Sequence, residues 1–264
     1  MKRVDFKDKR ICYRVEGEGK PVMLLHGFAE NGDLWKYQVE NLKDNFKFII
    51  PDLPGSGSSE ALNGNPSMVD YADAIKAIID LEIKESSFAL IGHSMGGYIA
   101  LAFAEKYPEL LNSVGLFHST SYADDDQKKE TRNNGIDFIK RNGPELFLKN
   151  TIPNLFSENN RKENLTLSER SMKLSKNISQ LTLIQYYEAM RDRPNYSPVL
   201  KNFKKPVLLI QGLHDNAVHL KSGLEQSYVA PVTYFNILKN SGHMGMWEEE
   251  KISTALLGKF LMEL

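Results

Sequence analysis

The chain has 264 residues, a formal net charge of −1, 41% hydrophobic residues and 25% charged residues. These values suit one large α/β domain, and the near-zero charge offers no global field to draw in nucleic acid or an anionic membrane. Cys12 is the single cysteine, no apolar run approaches the roughly 18 residues of a membrane helix, and no apolar h-region follows the basic start, so a cytoplasmic protein is expected.

Residues 4–7 and 10–15 alternate apolar and polar across Asp8-Lys9, which predicts an antiparallel hairpin. Residues 22–25 form an apolar strand ended by His26-Gly27-Phe28. Asp33 is then expected to cap a helix carrying Leu34, Trp35, Val39 and Leu42. Residues 46–50 read as a second buried strand. It is followed by a glycine-rich turn over 51–59, in which Asp52 is expected to brace the loop. Helical spacing over 67–81 puts Met68, Tyr71, Ile75, Ile78 and Ile79 on one side. Residues 88–91 are a buried strand, stopped by Gly92 and followed at once by a helix that ends near Pro108. Strands are expected again at 114–117, 206–210 and 232–237, with a closing helix over 246–261. This alternation predicts an α/β fold, a mostly parallel central sheet with helices on both faces. Ligands of such sheets sit beyond the carboxyl ends of the strands, so the loops after Leu25, Ile50, Ile91 and Phe117 should share one edge.

The rhythm breaks between residues 119 and 203. This divides the chain into a core, 1–118 with 204–264, and a helical cap insertion, 119–203. Phe138, Leu146, Phe147, Ile152, Leu155, Phe156, Leu181, Ile184, Tyr186, Tyr187 and Met190 are expected to pack a small helical core. Some of them, Phe147 and Tyr187 foremost, should line a substrate pocket. The charged run over 124–130 reads as a solvated face. Arg132, Arg141, Arg191 and Arg193 read as solvent-facing or bracing, or else as cationic anchors.

Gly92, Ser94 and Gly96 form a Gly-x-Ser-x-Gly pattern between that strand and helix. So abrupt a turn needs a strained central residue, with neighbours two away that carry no side chain to collide. The strain would lift the Ser94 hydroxyl clear at a helix N-terminus, where negative charge is favoured. The alternative is that Ser94 merely caps the helix. A serine nucleophile needs a base in hydrogen-bond reach and an acid to orient it. His243 follows the last strand, and Asp215 follows the strand at 206–210. His26 reads as a loop-organising hydrogen-bond partner, His93 as a support of the nucleophile turn, and His118 could touch substrate. No His-x-x-x-His pair or cysteine cluster accompanies them, so no metal is expected.

Ser94, Asp215 and His243 occur in the order serine, acid, histidine. Together with His26-Gly27-Phe28, the glycine-rich turn, the Gly92–Gly97 elbow, Gly212-x-x-Asp215 and Gly242-His243, the chain resembles the α/β-hydrolase fold superfamily, of the single-domain serine hydrolase type with a helical cap. The resemblance covers nearly the whole chain and is weakest across the insertion. It implies catalysis by Ser94, Asp215 and His243, with an oxyanion hole made by the backbone N–H groups of Phe28 and Met95, whose side chains would line the pocket. It implies no cofactor and a small-molecule substrate, a carboxylic ester or thioester cleaved through an acyl-enzyme. Carbon–carbon bond hydrolysis or lyase chemistry with the same triad is the alternative. A non-enzymatic protein binding a hydrophobic ligand is the third possibility.

Overall fold

The computed structural model describes residues 1–84 and 87–264. Strands β1 (Lys2–Phe6) and β2 (Lys9–Glu16) form the expected hairpin. Its turn is Lys7-Asp8, one residue earlier than the expected Asp8-Lys9, and both have positive φ, 47° and 61°, the twist a two-residue hairpin turn requires. Strands β3 (Lys20–Leu25), β4 (Phe46–Pro51), β5 (Phe88–His93), β6 (Leu111–Phe117), β7 (Val207–Gly212) and β8 (Thr233–Leu238) complete one eight-stranded sheet in the order β1-β2-β4-β3-β5-β6-β7-β8. All neighbours from β4 to β8 in that order run parallel, and β2 is antiparallel to both of its neighbours, β1 and β4.

Successive side chains of a strand point to opposite faces, so each buried strand feeds two cores. Met23, Leu25, Leu90, Val207 and Leu209 join one core, under α2 (Met68–Glu82) and α3 (Met95–Lys106). Val22, Leu24, Ile91, Leu208 and Ile210 join the other, under α1 (Lys36–Leu42) and the closing helices α10 (Gly245–Glu248) and α11 (Glu250–Met262). Ser67 caps α2 in a reciprocal capping box with Asp70. Asp33 does not cap a helix. A short 3-10 turn, Gly32–Trp35, precedes α1, and its cap is Asn31, whose side chain accepts from Asp33 N–H at 2.9 Å.

Between β6 and β7 lie α4 (Asp126–Thr151), kinked at Gly143 where φ is 81°, then α5 (Glu158–Glu163), α6 (Leu165–Leu174), α7 (Gln180–Asp192) and α8 (Ser197–Asn202). Their apolar residues share the two cores of the sheet instead of building one apart. Tyr186 and Met190 of α7 pack with α2 and α3, and Phe147, Ile152 and Phe156 pack with the opposite layer. Tyr186 also ties α7 to the glycine-rich turn. Its hydroxyl donates to Pro54 O and meets Ser56 Oγ, each at 2.9 Å. Leu146 and Leu181 stand apart from their expected packing, 45% and 56% exposed on the outer faces of α4 and α7. Short α9 (Leu220–Ser227) links β7 to β8. Among the described residues no helix is long and apolar enough to cross a membrane.

Candidate active site

Ser94 sits between β5 and α3 with φ 49° and ψ −115°, outside every region a side chain favours. The backbone around it holds that conformation. Ser94 N–H donates to Phe117 O at 2.9 Å, and Ser94 O accepts from Gly97 N–H at 2.9 Å and Ser119 Oγ at 2.7 Å. A Cβ on Gly92 would lie 2.2 Å from Gly96 O, and one on Gly96 would lie 2.5 Å from His26 O. The turn therefore admits only glycine at both positions. Ser94 makes no side-chain capping bond, so the capping alternative does not describe its hydroxyl.

The loop after β8 brings His243 to the same edge. Its Nδ1 lies 2.8 Å from Asp215 Oδ2. Glu248 Oε1 accepts from Gly242 and Met244 N–H, Glu249 accepts from Asn240 N–H and Ser241 Oγ, and Leu155 O accepts from His243 N–H at 2.6 Å. This strapping fixes the ring. With Nδ1 committed to Asp215, Nε2 is the nitrogen left for chemistry in the cavity that Ser94 and His243 both line.

Asp215 is buried and accepts from several sides. Ala217 and Val218 N–H reach Oδ1 at 2.8 Å each, and Gln211 Nε2 reaches Oδ2 at 3.1 Å. Burial opposes its charge, but His243 and His118 outweigh burial and hold the carboxyl well below its usual range. His118 Nδ1 lies 3.3 Å from Asp215 Oδ2 and 3.2 Å from Gly212 N, while its Nε2 accepts from Gly245 N–H at 3.1 Å. Gly212 N–H is the donor toward Nδ1, so each ring nitrogen faces a backbone N–H. Burial keeps this ring neutral and pushes its pKa down to about 4. His118, Asp215 and His243 offer three potential metal-ligand atoms within 4.8 Å of one another. The hydrogen bonds just described engage each of these side chains, and a cation would have to displace them.

Glu30 and His93 form a second buried pair. Glu30 Oε2 accepts from Gly27 N–H at 2.6 Å and lies 2.9 Å from His93 Nδ1. His93 Nε2 lies 3.0 Å from the backbone oxygen of His243. Burial opposes both charges, but each partner favours the other's ionised form, so the carboxyl shifts down and the imidazole up. His26 braces the loops after β3 and β4, its Nε2 accepting from Leu53 N–H at 2.9 Å. Asp52 accepts from Gly32 and Ser58 N–H and braces the glycine-rich turn.

The cavity measures about 190 Å³. Phe28 and Tyr187 line it, their rings stacked 4.7 Å apart. Three other expected lining side chains do not. Met95 is fully buried in the core under α3, His118 is fully buried behind Asp215, and Phe147 packs edge-on against Phe28 and Tyr187 from outside. Met95 still opens α3, where first-turn N–H groups lack helical acceptors, and neither its N–H nor that of Phe28 has an acceptor among the described residues. Leu148, Ile152, Leu155, Met190 and Val218 supply apolar walls.

Two cations also line the cavity, Lys128 and Arg132. The run over 124–130 is therefore not wholly solvated. Asp124 is buried and paired with both Arg132 and Arg193, and Lys128 is half-buried. Arg193 is a brace, donating to Met190 O and Tyr122 O with its guanidinium 3.9 Å from the Tyr98 ring centre. Arg141 is exposed, and Arg191 pairs with Asp192. The signal for Lys128 and Arg132 lies in their spacing, which places them on one α4 face with Ile136 and Ile139.

A family model for the alpha/beta hydrolase fold matches residues 20–250. An uncharacterized protein of Mycobacterium tuberculosis is 31% identical over 110 residues, which are 40% of this chain and 31% of that protein, so the match spans about a third of the relative's length. A 2-hydroxy-6-oxononadienedioate/2-hydroxy-6-oxononatrienedioate hydrolase of Paraburkholderia phymatum is 26% identical over 96% of this chain and 91% of its own. Among solved structures, a thermophilic esterase from Thermogutta terrifontis, with malate bound, superposes at TM-score 0.93 with 26% identity over 100% of this chain and 99% of that one. The elbow, the sheet order and the match across residues 20–250 lead to one conclusion: the chain belongs to the alpha/beta hydrolase fold family.

Proposed function

We propose that this chain is a serine hydrolase that cleaves a small to medium carboxylic ester or thioester through an acyl-enzyme. The observation that carries the proposal is the 2.8 Å contact between His243 Nδ1 and Asp215 Oδ2 beside the strained Ser94 elbow, with Ser94 and His243 on one cavity. Ser94 Oγ attacks the carbonyl while His243 Nε2 takes its proton, and Asp215 orients the ring and stabilises its charged form. The N–H groups of Phe28 and Met95 hold the oxyanion. The alcohol or thiol leaves with the proton from His243, and water then attacks the acyl-Ser94 carbonyl to release the acid. No cofactor enters this scheme, and the cytoplasm is the compartment we assign. The helices over 119–203 act as the cap over the pocket.

A fluorophosphonate probe followed by intact mass and peptide mapping tests the assignment. The expected result is one adduct, on Ser94, absent from Ser94→Ala, with ester turnover in that variant reduced by about 10⁴-fold or more. Wild-type turnover by Ser94→Ala would remove Ser94 from the mechanism.

Carbon–carbon bond hydrolysis with the same residues is the second reading, favoured by the relative from Paraburkholderia phymatum and by Lys128 and Arg132 in the cavity. Turnover of a hydroxy-oxo-dienedioate with no turnover of simple esters would select it.

A further inference from the structure

Arg132 is held at one end only. Its Nε donates to Asp124 Oδ2, and its guanidinium carbon lies 5.4 Å from the Tyr187 ring centre. The residue is 8% exposed and lines the cavity with Ser94 and His243. Its two terminal nitrogens have no partner among the described residues. One turn earlier on α4, Lys128 Nζ donates to Ala217 O at 2.7 Å and lines the same wall. An ammonium carries three donors, and one acceptor leaves it under-used.

The charges around this wall do not balance. Asp124 is the carboxylate paired here, and it already serves both Arg132 and Arg193. Glu30 also lines the cavity, but its Oε2 is occupied by Gly27 N–H and His93. Both Asp215 oxygens are engaged, Oδ1 by Ala217 and Val218 N–H and Oδ2 by His243 Nδ1 and Gln211 Nε2. Burial and the neighbouring Arg132 and Arg193 charges lower the Lys128 pKa, against the opposing pull of Asp124 and Asp215. A buried guanidinium with a free fork matches a carboxylate in shape as well as charge.

The geometry points to a carboxylate subsite at Arg132 and Lys128: the substrate cleaved at Ser94 is an acid-bearing molecule, an ester, thioester or lactone with a second, free carboxylate. Its apolar chain lies along Leu148, Ile152, Met190 and Val218, and its carboxylate receives the Arg132 fork. This specificity rests on the reading of Ser94 as the nucleophile, but the subsite itself does not.

Two arms test it separately. The first compares 4-nitrophenyl pentanoate with the 4-nitrophenyl hemi-esters of succinate, glutarate and adipate. The wild type should prefer the best hemi-ester by about tenfold or more in kcat/KM, the worth of one charge-assisted hydrogen bond. Arg132→Gln should lower that preference about tenfold or more through KM, Lys128→Gln should lower it less, and the exposed Arg141→Gln should keep it. The second arm is calorimetric titration of glutarate and adipate into folded Ser94→Ala protein. Binding should be measurable there and lost on adding Arg132→Gln. If no ester turns over, the acyl-transfer reading fails and the calorimetric arm alone decides the subsite. No diacid binding to Ser94→Ala, or binding unchanged by Arg132→Gln and Lys128→Gln, would overturn the subsite. A neutral ester preferred over every hemi-ester would overturn the specificity.

Discussion

His93 Nε2 lies 3.0 Å from the backbone oxygen of His243, while His93 Nδ1 lies 2.9 Å from Glu30 Oε2. Both partners are acceptors, so both ring nitrogens must donate, and only an imidazolium does that. A charged His93 is thus inserted between the Ser94 elbow, to which it is adjacent in sequence, and the loop that presents His243. Glu30 carries the compensating charge and also accepts from Gly27 N–H, ahead of Phe28. One buried ion pair therefore ties together the three segments on which the proposed chemistry depends.

Replacing Glu30 by Gln should be costly and pH-dependent. It leaves His93 without its counter-charge, and breaking a buried pair typically costs about 3 to 5 kcal/mol. The Glu30 carboxyl is shifted down, so its contribution is present above about pH 4.5 and fades only on acidification through its lower folded value. The His93 ring is shifted up, so its contribution is complete below about pH 6.5 and fades as pH rises through its higher folded value. Urea unfolding of wild type and Glu30→Gln should differ most between those limits and less at pH 9. An equal difference at pH 5.5 and pH 9 would mean that His93 is neutral.

His118 predicts the opposite slope. Its ring is neutral in the fold with a pKa of about 4, against an ordinary value of 6.5. The unfolded chain therefore binds a proton the folded one refuses. This contribution is fully present above pH 6.5 and is lost progressively down to pH 4, by about 3 kcal/mol in total. Protonation would also break the bond from Gly245 N–H to Nε2. His118→Asn should start less stable at pH 8 but lose about 3 kcal/mol less than wild type between pH 7 and pH 4. The measurement is urea unfolding across that range, and parallel slopes would place the acid sensitivity elsewhere.

The parts of the site written in local sequence were legible, and those made by tertiary meeting were not. Ser94, Asp215 and His243 each follow a strand closely, and a parallel sheet gathers such positions at one edge without further information. Glu30 sits in an unremarkable loop, and its role exists only because His93 comes to it from β5. Glu248 and Glu249 fall inside the closing helix expected over 246–261, yet their carboxylates strap the His243 loop. His118 follows β6 at the same edge, but a φ of 49° and a partner on each nitrogen turn it behind Asp215, away from the cavity. Lys128 is hidden by composition, and Arg132 is one of four arginines that composition leaves equal as anchors. A run of charges suggests water, and only their four-residue spacing onto Ile136 and Ile139 tells that this face of α4 is turned inward.

Tyr187 should set the length of chain the cavity accepts. Its ring stacks on Phe28 at 4.7 Å and 24°, meets Phe147 edge-on at 5.6 Å, and forms part of the cavity wall. It is also closely seated, since a Cβ on Gly135 would lie 2.5 Å from its ring. The neighbours are themselves fixed, so truncation leaves space that they fill only partly. Tyr187→Ala should cost about 3 kcal/mol of stability, the lower end for loss of a large aromatic side chain. The vacated volume adjoins the roughly 190 Å³ cavity, so the best 4-nitrophenyl ester should shift to a longer acyl chain. Leu146→Ala, on the outer face of α4 and 45% exposed, should leave the profile in place. The check is kcat/KM from acetate to decanoate for the three proteins. A profile unmoved by Tyr187→Ala would mean that the acyl chain leaves Ser94 toward another wall, away from the Phe28–Tyr187 stack.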